Sequence, residues 1–376
     1  MLKLDELSGE VAGLEALRSS LAMLERMRKL EEESDAWLRL QQLAELLEAP
    51  ECCGPLKAAV CASVDELVRE LRASFTDDVA AAAKDLGWPK PIDIPASLLH
   101  STDGMLAEWI RPQTPGDAPK KPSHQQRLEH FCRVLARLTS LQLIALKTQQ
   151  PATDAGGSVL DAPAPSPAHR DAAPQGGGAS RSGGFFLDAW GVECLLSALD
   201  LRFRFHFGSA RKTNRLDKPE WFLSYQLSRL KEHVFFLDTI VQPCVRLCGS
   251  GTLARYDAVL HVTAGLVRQI CAKIAADVPL LLQQDAVMMT TIREAILFDN
   301  SLAALLQSSD RATPHELHAV LSPGEAGRML SCLQGMMSDK RVLQLWLNLE
   351  AQSRLSQVCV CVCVCVCVCV SAHALL

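Results

Sequence analysis

LDLRFRFHFGSARKTNRLDKPEWF, residues 199–222, can be read as strand or as helix, and the choice sets the fold. Arg202, Phe203, Arg204, Phe205, His206 and Phe207 alternate polar and aromatic, which by period suggests a short strand. The alternation is too brief to stand against its neighbours, because a helical apolar pattern runs into it from Trp190. As a helix the segment puts Leu199, Phe203 and Phe207 on one side, and Gly208 ends it. Asp217, Pro219 and Glu220 then make a helix start for Trp221, Phe222, Tyr225 and Leu230, with Pro just inside and acids in the first turn. Thr213 and Asn214 suit the loop between.

The rest of the chain agrees with helix. Leu and Ala dominate its 376 residues, aromatics make up 5% and Tyr occurs twice, so strand-preferring side chains are scarce. That length exceeds what a single core usually serves. The formal net charge of -5 comes from interspersed Asp, Glu, Lys and Arg. No basic block is present to neutralise a run of phosphates, which argues against nucleic acid as a partner. The start MLKLDELSGE is too acidic for a signal peptide, and no run of uncharged apolar residues reaches a bilayer's thickness. A cytosolic chain without a membrane span is expected.

Leu4, Leu7, Val11, Leu14, Leu17, Leu21, Leu24 and Met27 recur at spacings of three and four, so residues 1–49 read as a coiled-coil-like helix. Such a stripe needs a partner, either the helix that follows or another subunit. Residues 56–149 form a helical region in which Val60, Val64, Leu67, Leu71 and Phe75 share a face. Gly87-Trp88-Pro89 stops that helix, and Leu128, Phe131, Leu135, Leu138, Leu141 and Leu143 mark the next. Pro, Ala, Gly and Ser dominate residues 150–184, which read as a disordered linker. Residues 185–357 predict a bundle of roughly six helices, broken near 211–219, 248–252 and 313–324. In the tail, residues 358–376, Val and Cys alternate strictly from Val358 to Val370. We read that run as a translated dinucleotide repeat at a gene-model boundary. The nine other cysteines are scattered along apolar helical faces, as expected of free thiols in a reducing compartment.

Catalytic motifs are missing: there is no GxSxG, P-loop, helix-opening GxGxxG or HExxH. His130 and Cys132 lie two apart and point to different helix faces, a poor metal pair. His315 and His318 lack a third ligand, and Glu232-His233 beside Asp238 lacks an orienting group. No enzyme, cofactor or metal is expected.

One combination of residues is more specific than any of these patterns. Arg202 to Phe207, Thr213-Asn214 and Lys218-Pro219-Glu220-Trp221-Phe222 follow each other as RFxxHF, TN and KPEWF. Together they resemble the signature of the Rint/Tip/Maigo family of tethering subunits. Leu86-Gly87-Trp88-Pro89 resembles its LxWP break, Phe235-Phe236-Leu237 with Gln242-Pro243 its FL...IQP stretch, Phe298-Asp299 its FD motif, and Trp346 with Glu350 its WxxxE element.

The resemblance implies an all-α fold: N-terminal coiled-coil-like helices followed by stacked helical bundles, the CATCHR-type rod, here incomplete because the family's chains continue beyond WxxxE. It implies no catalysis. It implies a subunit of the endoplasmic-reticulum tether called Dsl or NRZ, peripheral on that membrane, which receives COPI vesicles returning from the Golgi and engages ER SNAREs. In the family an N-terminal helix pairs with a Zeste-white-ten-like subunit, which would give Leu7 to Met27 an intermolecular role. Phe203, Phe207 and Trp221 would then be core residues. An exocyst or Golgi-type tether, another helical scaffold and an all-α enzyme remain alternatives.

Overall fold

The computed structural model describes residues 18–19, 21–29, 35–49, 52, 54–94, 102–110, 122–149, 189–208, 210–248, 256–308 and 330–351. Every regular element among them is helical, as the composition predicts. The chain divides into two compact units.

The first unit draws on Met1–Ala82, Asp103–Gly191 and Cys244–Tyr256. Its main helices are α1 (Ala36–Glu48), α2 (Gly54–Leu86, as far as Ala82), α3 (Thr102–Ile110) and α4 (His124–Gln149). Val60, Val64, Leu67 and Phe75 of α2 and Leu128, Phe131, Leu135, Leu138 and Leu141 of α4 are all buried, as their period predicts, whereas Leu71 and Leu143 are half-buried. Trp37 of α1 meets Phe75 edge-on at 5.4 Å, and the Arg137 guanidinium lies 4.3 Å from the centre of the Phe75 ring. That stacking lets an arginine cover apolar surface while its charge stays near water.

Residues 1–49 do not form one helix throughout. Residues 21–29 are helical, and a new helix begins at Asp35, whose backbone is extended and whose carboxylate accepts from the amides of Trp37 and Leu38. An aspartate N-cap of this kind starts a helix afresh, so 1–49 is not one continuous rod. Leu7, Val11, Leu14 and Leu17 lie outside the described residues, as do 150–184 and 358–376. In 21–29 the buried residue is Met23, which the heptad-like count passes over; Leu21 and Leu24 are 61% and 50% exposed, and Met27 is half-buried.

The second unit comprises Ala83–Thr102, Val192–Pro243 and Asp257–Leu376. It contains α5 (Trp190–Phe207, from Val192), α6 (Pro219–Phe236), a π turn (Leu237–Val241), the start of α7 (Gln242–Cys248), α8 (Ala258–Leu281), α9 (Asp285–Ser308), α10 (Cys332–Met337) and a helix over 340–351. Helix α8 is the one described helix long and apolar enough to cross a bilayer, which the sequence reading does not anticipate. Most of its apolar residues are buried within the unit, from Ala258 through Val267 and again at Ile270, Ile274, Val278 and Leu281. That pattern is of a core helix. At Gly265 an added Cβ would sit 2.6 Å from both methyls of Leu196, so α5 and α8 are in close contact there. We expect Gly265→Val to cost about 1–3 kcal/mol by overpacking, read from chemical denaturation.

Three of the quoted motifs have a clear architectural purpose. Leu86-Gly87-Trp88 is a Schellman helix ending: Gly87 has φ 99°, its amide donates to the Lys84 carbonyl at 2.9 Å, and the Trp88 amide donates to Ala83 at 3.0 Å. The stretch at Phe236-Leu237 and Gln242-Pro243 holds the π turn, in which the Gln242 amide donates to the Leu237 carbonyl. The wide turn suits Pro243, which has no N–H for an ordinary helical bond. Gln242 then accepts from the Ala258 amide at 2.6 Å, and Asp257 from that of Leu260, so α8 begins on two side-chain caps. Asp299 of the FD motif caps α10, accepting from Ser331 Oγ at 2.8 Å and from the amides of Cys332 and Leu333 at 2.8 and 3.0 Å. Burial pushes its carboxyl up and these three donors pull it back. Asp299→Ala strands all three donors, and we expect a loss of about 2–3 kcal/mol with faster amide exchange over 332–337.

Candidate functional site

The signature residues fall into a buried half and an exposed half. On α5, Phe203 and Phe207 are 3% and 5% exposed with ring centres 5.3 Å apart. Tyr225 of α6 lies 5.4 Å from Phe207, and Phe222 lies 6.3 Å from it, so the two helices join through one aromatic cluster. Arg202 sends a guanidinium N–H toward the Pro89 carbonyl at 3.5 Å. Trp88 is buried, donates from Nε1 to the Leu195 carbonyl at 3.0 Å, and stacks on His233 with centres 4.3 Å apart. The LxWP break, the RFxxHF helix and α6 therefore meet in a single core.

The connecting loop is held by one side chain and by backbone bonds. Thr213 Oγ donates to the His206 carbonyl at 2.7 Å, so it ties off the end of α5, and the Asn214 amide donates to the Arg211 carbonyl at 3.0 Å. Arg215 and Asp217 form a two-pronged ion pair at 2.6 and 2.9 Å, and Lys218 and Glu220 pair at 3.6 Å. These exposed pairs add little stability. Pro219 is buried at the first helical position of α6.

Trp221 is not a core residue: it is 40% exposed, with the Arg215 guanidinium 5.9 Å from its centre. Phe222 and Leu223 take the inward direction of that first turn, at 4% and 3% exposure. Neighbouring helical residues point about 100° apart, so three in a row cannot all face one core. Phe205 is likewise 53% exposed and carries the Arg211 guanidinium 4.2 Å from its ring centre.

His233 is the most constrained polar group of the cluster. Its side chain is fully buried, and neither ring nitrogen makes a well-formed hydrogen bond, the Pro89 backbone offering only a weak one. Burial, with Arg229 and Arg202 nearby, lowers its pKa from 6.5 to about 4, so it is neutral in the fold. Its folded pKa lies below the unfolded one; the stability it contributes is present above about pH 6.5 and is lost as pH falls toward 4. Between about pH 7.5 and 5 we expect the parent to lose about 2 kcal/mol more than His233→Phe, read from urea unfolding. Glu232, its neighbour, pairs with Arg229 at 2.5 Å instead of with histidine.

A half-open cleft of about 470 Å³ runs between α5 and α8, lined by Leu196, Phe203, Gly265, Ala272 and Ala276. At its edge buried His261 bonds Glu193 at 2.8 Å, with Arg268 4.0 Å from the same carboxylate. The histidine bond, before Arg268, holds the Glu193 carboxyl below its usual range. The sequence reading misses this pair, whose members stand 68 positions apart without a motif. Trp346 and Glu350 line a second cleft of about 410 Å³ with Met289, Ile292, Arg293 and Ile296. Exposed His130 and buried Cys132 do point apart, and His315 and His318 lie outside the described residues. Among the described residues no group of three or more His, Cys, Asp or Glu could hold a metal ion.

Residues 190–359, a little under half of the chain, match the family model of the RINT-1/TIP-1 family. A RINT1-like protein of Drosophila melanogaster is 35% identical over 111 residues, which cover 30% of this chain and 15% of that protein. The match thus spans only a small part of that relative's length. No solved structure matches the chain. The aromatic α5–α6 cluster and the caps on α8 and α10 all lie within residues 190–359, the span that is similar to the RINT-1/TIP-1 family.

Proposed function

We propose that the chain acts as a subunit of a vesicle-tethering complex, through protein contacts and without catalysis. The observation that carries this reading is the match of residues 190–359 to the RINT-1/TIP-1 family. In the finer form of the proposal, the complex is the Dsl/NRZ tether on the cytoplasmic face of the endoplasmic reticulum. The chain binds a Zeste-white-ten-like subunit and ER SNAREs, and through the assembly it meets COPI vesicles returning from the Golgi. Membrane attachment is peripheral and made by the partners.

The N-terminal stripe is the proposed contact with the neighbouring subunit. Leu21 and Leu24 support this because they leave apolar surface open while Met23 seats the helix in its own unit. Two leucines one turn apart are a minimal seam for a partner helix. Affinity purification of the tagged chain from its own cells tests the assignment. Recovery of a Zeste-white-ten-like subunit with ER SNAREs is expected; recovery of exocyst or Golgi-tether subunits in their place overturns it.

A further inference from the structure

We propose that the exposed edge of the signature, from Leu201 across the 210–218 loop to Trp221, is a docking surface for an acidic peptide segment that carries an apolar anchor. Three apolar side chains stand out from it: Leu201, Phe205 and Trp221 are 73%, 53% and 40% exposed. Leu201 and Phe205 lie one turn apart on α5 and share a face. The loop runs from one aromatic to the other, with Arg211 over the Phe205 ring at 4.2 Å and Arg215 by the Trp221 ring at 5.9 Å. An arginine over an aromatic ring can still offer N–H groups to a carboxylate, which Arg215 already gives to Asp217.

Charge selects the occupant. Between Leu201 and Trp221 the sequence carries Arg202, Arg204, Arg211, Lys212, Arg215 and Lys218 against Asp217 and Glu220, in a chain whose formal net charge is -5. Arg204 pairs with Asp200, Arg215 with Asp217 and Lys218 with Glu220. Arg211 and Lys212 are exposed and stand within no ion pair of the described residues, so the unspent positive charge lies beside Phe205. Two such charges are fewer than the cluster of roughly four to eight that holds a protein on an anionic bilayer, and Asp217 and Glu220 would face the lipid with them. An acidic segment can set carboxylates on Arg211 and Lys212 and rest an aromatic or branched aliphatic residue against Leu201 and Phe205. Burial among aromatic and arginine side chains is what interface anchors use.

The surface is tested with the full chain by selecting from a library of random short peptides displayed on phage. The selected pool is expected to be acidic and to carry at least one aromatic or branched aliphatic residue. A synthetic copy of the most enriched peptide should bind Arg211→Glu/Lys212→Glu and Leu201→Ala/Phe205→Ala about tenfold or more weakly than the parent. All four side chains are exposed, so both variants should keep the parent's melting temperature. A pool without acidic bias, or acidic peptides that bind both variants undiminished, overturns the proposal. Sedimentation with phosphatidylserine vesicles that the charge variant abolishes, together with no acidic selection, overturns it in favour of a lipid surface.

Discussion

Trp88→Ala is expected to unfold the second unit more readily than any substitution on its surface. The indole is buried, stacks on His233 and Phe236, and donates to the Leu195 carbonyl. Truncation removes that contact area and leaves a void beside a buried histidine, which together cost about 3–5 kcal/mol. The backbone turn should survive, since its Schellman bonds use Gly87 and the Trp88 amide, not the indole. Chemical denaturation followed by near-ultraviolet circular dichroism checks both the loss of stability and the loss of the tryptophan signal. Trp88→Phe, which keeps a ring on His233 but no donor, should fall between parent and Ala.

Phe207→Ala is the second large effect. Phe207 touches Phe203 on its own helix and Phe222 and Tyr225 on α6, so its ring joins the two elements of the signature. We expect a loss of about 3–5 kcal/mol, a fall in melting temperature of roughly 10 °C. Phe205→Ala, two residues away and exposed, should change stability by less than about 0.5 kcal/mol. A scan of both variants by differential calorimetry separates the buried half of the motif from the exposed half.

How far the fold was legible follows from where the apolar pattern had a sharp edge. Helix α5 was clear because Leu199, Phe203 and Phe207 recur every four residues and Gly208 follows. On α6 the buried line runs Phe222, Gln226, Leu230 and His233, continuing to Leu237 of the π turn, and its two polar members hide the phase. The family resemblance implies a core Trp221, whereas the structure turns it out and faces Phe222 inward. The restart at Asp35 follows Glu31-Glu32-Glu33-Ser34 in sequence, a signal weaker than the leucine spacing on either side. The turn between α8 and α9 has no glycine, so the apolar density around it masked the stop. Pro279, one turn earlier, was the available hint.

The site was less legible than the fold. The signature spacing marks the segment, but sequence alone could not divide it, because exposure depends on helix phase against α8 and on arginines that cover rings from the loop. Arg211 and Lys212 read as ordinary loop charges until Phe205 is seen beneath one of them. The cap made by Asp299 spans 33 positions to Cys332, a separation no local pattern encodes.

Mixing the purified chain with a purified Zeste-white-ten-like subunit, and measuring the mass of the product by light scattering after size exclusion, tests the tethering assignment most directly. A one-to-one complex is expected with the parent chain, lost when Leu21 and Leu24 are both changed to Glu while melting is unaltered. No complex with the parent, or an undiminished complex with that variant, would contradict it.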